Sequence, residues 1–168
     1  MELEFEAILQ RMNSAVYGHY VEVPYSITKA FLAINQKRVV AVFNEIETTH
    51  TALIAHSDGF HFINVNQSIH KKIGATLGKS LHIKLNEDTS DYGIVVPIEF
   101  EELIYQDSEG DRYFHQLTPG KQRSLIYIIA KPKSSELRIT KAVIILNYLK
   151  SSQGKLDFKE LNEALKKK

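Results

Sequence analysis

Cysteine is absent from the 168 residues, which excludes disulfides, thiolate nucleophiles and cysteine-ligated zinc, and leaves any metal dependent on histidine and carboxylates. A small secreted scaffold held together by disulfides is excluded with it. Neither sign of charge is in excess. With a formal net charge of +1 there is no global field to attract polyanions, so nucleic-acid or membrane binding would need a local basic patch. Long apolar runs are missing as well: Ala142 to Leu146 falls far short of the roughly 20 residues that span a bilayer. The start, Met1-Glu2-Leu3-Glu4-Phe5-Glu6, is acidic and alternating, where a signal peptide is basic and then continuously apolar. The expectation is a cytoplasmic protein, neither secreted nor membrane-spanning. What is present is an ordinary globular composition, 43% hydrophobic and 24% charged, in a chain long enough for one sizeable core or a core with a satellite.

The hydrophobic rhythm changes once, near Pro97. Ahead of it most segments alternate with a period of two. Leu3, Phe5, Ala7 and Leu9 alternate with Glu4, Glu6 and Ile8. A strand is expected from Val16 to Val23, a hairpin from Val39–Ile46 and Thr49–Ala55, a turn at Ser57-Asp58-Gly59, and strands at Phe60–Val65, Leu81–Leu85 and Ile94–Val96. Two short helices interrupt them. One starts with Ser26 as N-cap, carries Ile27, Ala30, Phe31 and Ile34 inward and ends at Asn35, and the other runs from Gln67 to Ile73 before Gly74.

Behind Pro97 the period is 3.6. Phe100, Leu103 and Ile104 share a face that Asp107 to Gly110 breaks, and Thr118-Pro119 opens a helix that Pro132 stops. Ser134 or Ser135 opens another, with Leu137, Ile144 and Leu149 inward and a break at Ser151–Gly154. Asp157 and Glu160 form a capping-box pattern for a last helix with Phe158, Leu161 and Leu165 inward. Strands followed by helices, in place of alternating βαβ units, point to an α+β fold: a small β-barrel over 1–97, then a helical segment over 98–168 packed on it.

Three ordered segments resemble the bacterial YdeI or OmpD-associated family, also called the bacteriocin-protection family, with its uncharacterised N-terminal domain. They are Gly59–Val65 with Ile69–Gly74; Leu77–Ile83 leading to Glu87-Asp88; and Val96-Pro97 followed by Phe114–Pro119, Ala130-Lys131 and Glu136-Leu137-Arg138. The resemblance implies a double-split pseudobarrel similar to the AbrB-like regulators, a helical portion against it, and no known reaction. Two positions depart from the family's pattern. Leu137 stands where a threonine is usual, and Lys141 where arginine is common, and lysine has no planar guanidinium fork.

Candidate sites are few. His50, His56 and His61 with Asp58 are the cluster that could be drawn as a metal or acid/base site, but no compact signature such as H-E-x-x-H joins them, and scattered polar histidines of this sort are expected at the surface or in structural roles. No serine sits in a G-x-S-x-G elbow, and Gly74, Gly78 and Lys79 precede a strand without Walker spacing, so a turn is expected there. Basic residues are denser at His70-Lys71-Lys72 with Lys79, and at Lys121, Arg123, Lys131, Lys133 and Arg138. Lys71, Lys72, Lys79, Lys131 and Arg138 are the candidate ligand or phosphate contacts, set against the reading that they are solvated faces. Arg138 has a structural alternative, an internal tie from the long helix to the barrel through carbonyls or Glu99, Glu101 or Glu102. The function expected is non-enzymatic binding or stress protection, with no cofactor and no metal, and with a protein or small-ligand partner ahead of nucleic acid. A nucleic-acid-binding regulator and a hydrolase or metal enzyme around His56 and His61 are the alternatives.

Overall fold

The computed structural model describes residues 1–14 and 17–166. The expected strand start at Val16 therefore lies outside the described residues. The chain forms two compact units, Met1–Gly93 and Ile94–Lys168, and among the described residues it contains eight strands and seven helices. Among the described residues all strands lie in the first unit, with two short helices among them, and the second unit is helical.

In the first unit the alternation of apolar and polar residues builds two antiparallel four-stranded sheets. One has the order β1 (Glu2–Ile8), β8 (Ser80–Glu87), β4 (Arg38–Phe43), β5 (Glu47–Ala52); the other has the order β2 (Gln10–Arg11), β3 (His19–Val23), β7 (His61–Asn64), β6 (Ile54–Ala55). The outermost strands of both sheets belong to the same two chain segments. β1 passes into β2 at Leu9, whose N–H donates to the Lys79 carbonyl, and β5 passes into β6 at Leu53, whose N–H donates to the Lys37 carbonyl. Both leucines are buried in the core. The hydrogen-bond ladder itself runs in two separate sheets and does not close into one barrel among the described residues.

Inward residues of the two sheets meet in one cluster: Val39, Ala41, Phe43, Leu81, Ile83 and Leu85 from one, Val21, Val23 and Ile63 from the other. Helix α1 (Tyr25–Ala33) adds Ile27 and Phe31, and α2 (Gln67–Lys72) adds Ile69. The start of α1 corrects the sequence reading. Pro24, not Ser26, is the N-cap, because its carbonyl accepts from the N–H groups of Ile27 and Thr28, so Ser26 lies inside the first turn and caps nothing. Ile34 is 52% exposed, since the chain leaves the helix at Ala33 and Asn35 takes a left-handed φ of 57°. The end of α2 follows expectation, with Gly74 at a left-handed φ of 58°, and at its start the Asn66 side chain, not singled out in the sequence, accepts from the Ile69 N–H.

The wet face of β1 and β8 is ionic. Lys84 sits 3.4 Å from Glu4, directly across the ladder, and 3.0 Å from Glu45 in the β4–β5 turn. These contacts hold Glu45 below and Lys84 above their ordinary pKa ranges. Ile94–Val96, expected as a strand, is irregular and pairs with no strand among the described residues; Val95 is 71% exposed there, and a strand without a neighbour gains no ladder bonds.

The second unit contains α3 (Ile98–Gln106), α4 (Ser108–His115), α5 (Pro119–Ala130), α6 (Ser135–Ser151) and α7 (Phe158–Lys166). Its core includes Phe100 and Phe114, edge to face at 5.1 Å, with Leu125, Ile129, Ile145, Leu149 and Leu161. Helix α4 was not anticipated. Asp107-Ser108-Glu109-Gly110 reads as a break in sequence, but the Asp107 carboxylate accepts from the Gly110 N–H at 2.9 Å and so starts a helix as it ends the one before. Gly110 is buried, and a Cβ there would lie 3.2 Å from Leu146, so the glycine serves the close approach of α4 to α6.

Two further helix starts match the sequence chemistry in part. Thr118 caps α5 with Pro119 at the first position, yet its hydroxyl makes no cap bond. Asp157 accepts from the N–H groups of Lys159 and Glu160, but Glu160 reaches the Tyr148 hydroxyl at 3.0 Å in place of the reciprocal bond, and the Asp157 N–H donates to that same hydroxyl. Phe158 stays 37% exposed, while Leu161 is buried as expected.

Candidate binding site on the helical unit

Helix α6 is apolar around most of its circumference, with Leu137, Ile139, Ala142, Val143, Ile144, Ile145, Leu146 and Leu149 pointing in several directions. A helix of that kind is stable in water only when neighbours cover it on several sides. Here α3, α4, α5 and α7 all pack against it. Ala142, Ile145, Leu146 and Leu149 are buried by them, whereas the inward set expected from sequence was Leu137, Ile144 and Leu149. Leu137 is instead 39% exposed. With apolar residues on every side, spacing alone does not select the buried face.

The cover is incomplete on one side. Ile139 and Val143, one turn apart, remain 43% and 38% exposed. On α3, Ile98 and Tyr105, at i and i+7, are 63% and 88% exposed. Between the helices lies a cleft of about 310 Å³ lined by Ile98, Glu99, Glu102, Leu103, Gln106 and Ile139. A second depression of about 290 Å³ shares Ile98 and Glu99 with it and reaches Val95, Pro97, Ala130 and Arg138.

Two ion pairs set this geometry. At the N-terminal ends of α3 and α6, Arg138 donates from Nε and Nη2 to Glu99 Oε1 at 3.0 and 2.6 Å, and from Nη1 to the carbonyls of Pro132 and Lys133 at 3.1 and 3.0 Å. At the C-terminal ends, Lys150 Nζ lies 2.6 Å from Asp107 Oδ2. The helices therefore run side by side in the same direction, fastened at both ends. Arg138, followed by the Ser135 hydroxyl and the backbone amide at the start of α3, lowers the Glu99 pKa to about 2. Lys150, followed by the Gly110 N–H, holds Asp107 below the ordinary carboxylate range. The internal tie read for Arg138 thus exists with Glu99 and with carbonyls as acceptors, and all of them belong to the helical unit, so it joins α6 to α3 and to the α5–α6 connection.

The other candidates are distributed across the two units. Lys71, Lys72 and Lys79 are exposed in the first, where Lys72 pairs with Glu47 at 2.7 Å. Lys131 is exposed in the second, and Lys141 Nζ lies 3.5 Å from the Ile128 carbonyl. The histidines go separate ways. His50 Nδ1 is 3.0 Å from Asp88 Oδ2, His56 stacks on Phe60 at 4.4 Å with Asp58 3.6 Å away, and His61 sits in β7 opposite Val23. Among the described residues no three His, Asp or Glu side chains gather in a way that would hold a metal ion. Asp88 is a buried carboxylate: burial pushes its pKa up, but hydrogen bonds from Ser90 and His50 outweigh this and leave it below the ordinary range. Gly74 and Gly78, with φ of 58° and 79°, form turns.

Sequence reasoning named Glu99 and Arg138 but not the groove between their helices. The available signal was a helix apolar on all sides next to one whose exposed line runs Ile98, Glu102, Tyr105. Residues 94–151 match the model of a family described as bacteriocin-protection, YdeI or OmpD-associated, and residues 5–85 match a domain of unknown function, DUF1905. No curated protein matches the chain.

Proposed function

We propose, for a chain whose C-terminal part belongs to the bacteriocin-protection, YdeI or OmpD-associated family, a role as a non-enzymatic binding protein of the cytoplasm that protects against stress or bacteriocin and engages its partner through the groove between α3 and α6. The observation that carries this reading is the exposed apolar pair Ile98 and Ile139 in a cleft whose ion pair, Glu99 with Arg138, is already saturated. A carboxyl with a pKa of about 2 stays ionised at neutral pH and is a weak proton acceptor, and a guanidinium holds its proton throughout. Neither suits general acid or base work, for which a pKa near the working pH is best. What the groove offers a partner is apolar area.

The first unit fits the pseudobarrel expectation through its two bent segments, each of which serves both sheets and so leaves no outer strand confined to one of them. An AbrB-like nucleic-acid role for that unit is the competing reading. Lys71 and Lys79 favour it, being exposed and without an ion pair among the described residues. It requires binding that weakens steeply with salt.

The test is survival. Bacteria lacking the protein are complemented with wild type or with the Ile98→Glu/Ile139→Glu variant and challenged with bacteriocin, while purified wild type is screened against a substrate panel. The expected result is loss of protection with the variant and no turnover by the wild type. Full protection by the variant, or turnover that depends on a single His or Asp, contradicts the reading.

A further inference from the structure

The groove has a charge pattern as well as an apolar floor. On α3, Glu102 lines the cleft, is exposed and makes no ion pair among the described residues. On α6, Glu136 is exposed and equally without an ion partner, one turn ahead of Ile139 on the same face. The cation nearest the floor is spoken for, since Arg138 makes all its contacts with Glu99 and the carbonyls of Pro132 and Lys133. The exposed isoleucines Ile98 and Ile139 therefore lie beside two uncompensated carboxylates, Glu102 in the cleft and Glu136 one turn from Ile139.

Dimensions narrow the occupant further. The nine residues of α3 extend about 13 Å, which matches roughly two to three turns of a second helix laid alongside. An extended strand finds no sheet edge here, because this unit contains no strand among the described residues. A helix satisfies its own backbone and needs from the groove only what the groove presents.

We infer that the α3–α6 groove receives an amphipathic helix of a partner protein, with apolar side chains seated on Ile98 and Ile139 and flanking lysines or arginines facing Glu102 and Glu136. This rests on the binding function proposed above and names the chemistry of the partner. A contact of this size belongs at the weak end of protein recognition, with a Kd on the order of micromolar. Two exposed charge pairs add to it modestly, and their loss weakens binding by about fivefold in all.

The probe is a fluorescein-labelled synthetic helix of about three turns, with leucines at i, i+3, i+4 and i+7 and lysine or arginine on the flanks. It is compared with a twin that carries glutamate on the flanks, by anisotropy on the full-length chain. The basic peptide is expected to bind about fivefold more tightly than its twin, with the gap closing at high salt. Ile139→Glu abolishes binding, Glu102→Lys/Glu136→Lys reverses the preference, and Tyr127→Glu, at an exposed position on α5, changes nothing. Equal affinity for the two peptides, or binding untouched by Ile139→Glu, overturns the inference. So does sedimentation that shows wild type, but not Ile139→Glu, self-associating, because the occupant is then a second copy. If both peptides fail while Ile98→Glu/Ile139→Glu still abolishes protection in cells, the partner chemistry is wrong and the binding function stands. If the double variant also protects fully, both fall.

Discussion

Replacing Asp107 by alanine removes two interactions that meet on one carboxylate. Its Oδ1 accepts the Gly110 N–H at 2.9 Å as the N-cap of α4, and its Oδ2 lies 2.6 Å from Lys150 Nζ on α6. Loss of an N-cap costs about 1 kcal/mol. The ion pair is about a quarter exposed on each side, so solvent screening limits it to about 0.5 kcal/mol. The sum, about 1.5 kcal/mol, converts at roughly 4–8 °C per kcal/mol for a unit of this size to a drop of about 6–12 °C in the helical transition, followed by circular dichroism at 222 nm. Asp107→Asn keeps the cap oxygen and gives up only the charge, so its drop is about 2–4 °C. The pH dependence separates the two further. Because the folded pKa of Asp107 is depressed, the contribution of its charge is present above the unfolded value of about 3.9 and is lost as pH falls through the lower folded value. Wild type and Asp107→Asn therefore converge in acid. Equal losses in Asp107→Ala and Asp107→Asn at neutral pH, or no loss in either, refutes the assignment of Asp107 as cap and clamp.

Two further outcomes follow from neighbouring contacts. Gly110→Ala places a Cβ 2.9 Å from the Asp107 carboxylate and 3.2 Å from Leu146, so it destabilises by about 1–3 kcal/mol in chemical denaturation, where an open helical site would gain up to about 1 kcal/mol from the same change. Arg138→Ala lowers the melting temperature more than Arg138→Lys, since only the guanidinium reaches Glu99 and both carbonyls, and NMR titration then finds the Glu99 carboxyl risen from about 2 toward its ordinary range; an unmoved Glu99 shows that Arg138 is not the cause.

Local chemistry was the part of this fold most legible in the sequence. Gly74, Ser134 and Pro119 act within a turn of their own position, so propensity and capping rules place α2, α5 and α6 to within a residue or two. The alternation of Leu81, Ile83 and Leu85 likewise declares which face of β8 is inward. Where a tertiary contact decides, the sequence was ambiguous. Gly110 read as a breaker because nothing local reveals that Leu146 needs the space, and of the inward set read for α6 Leu149 is buried but Leu137 is exposed, because a helix with apolar residues on every side has no periodic preference to read. The pairing of Glu99 with Arg138 was within reach as one of several carboxylates that the guanidinium could take. The groove was not, since exposure of Ile98 and Ile139 depends on which sides of α6 its neighbours leave bare.

The absence of native cysteine makes the central claim, an uncovered side on α6, directly measurable. Ile139→Cys and Ile145→Cys, introduced singly into the full-length chain, each carry the only thiol and can be timed against a maleimide reagent. The account predicts that Cys at 139 reacts at close to the rate of a free peptide thiol, while Cys at 145, fully buried in the structure, reacts only through unfolding. Protection at 139 equal to that at 145 in the isolated protein would contradict it.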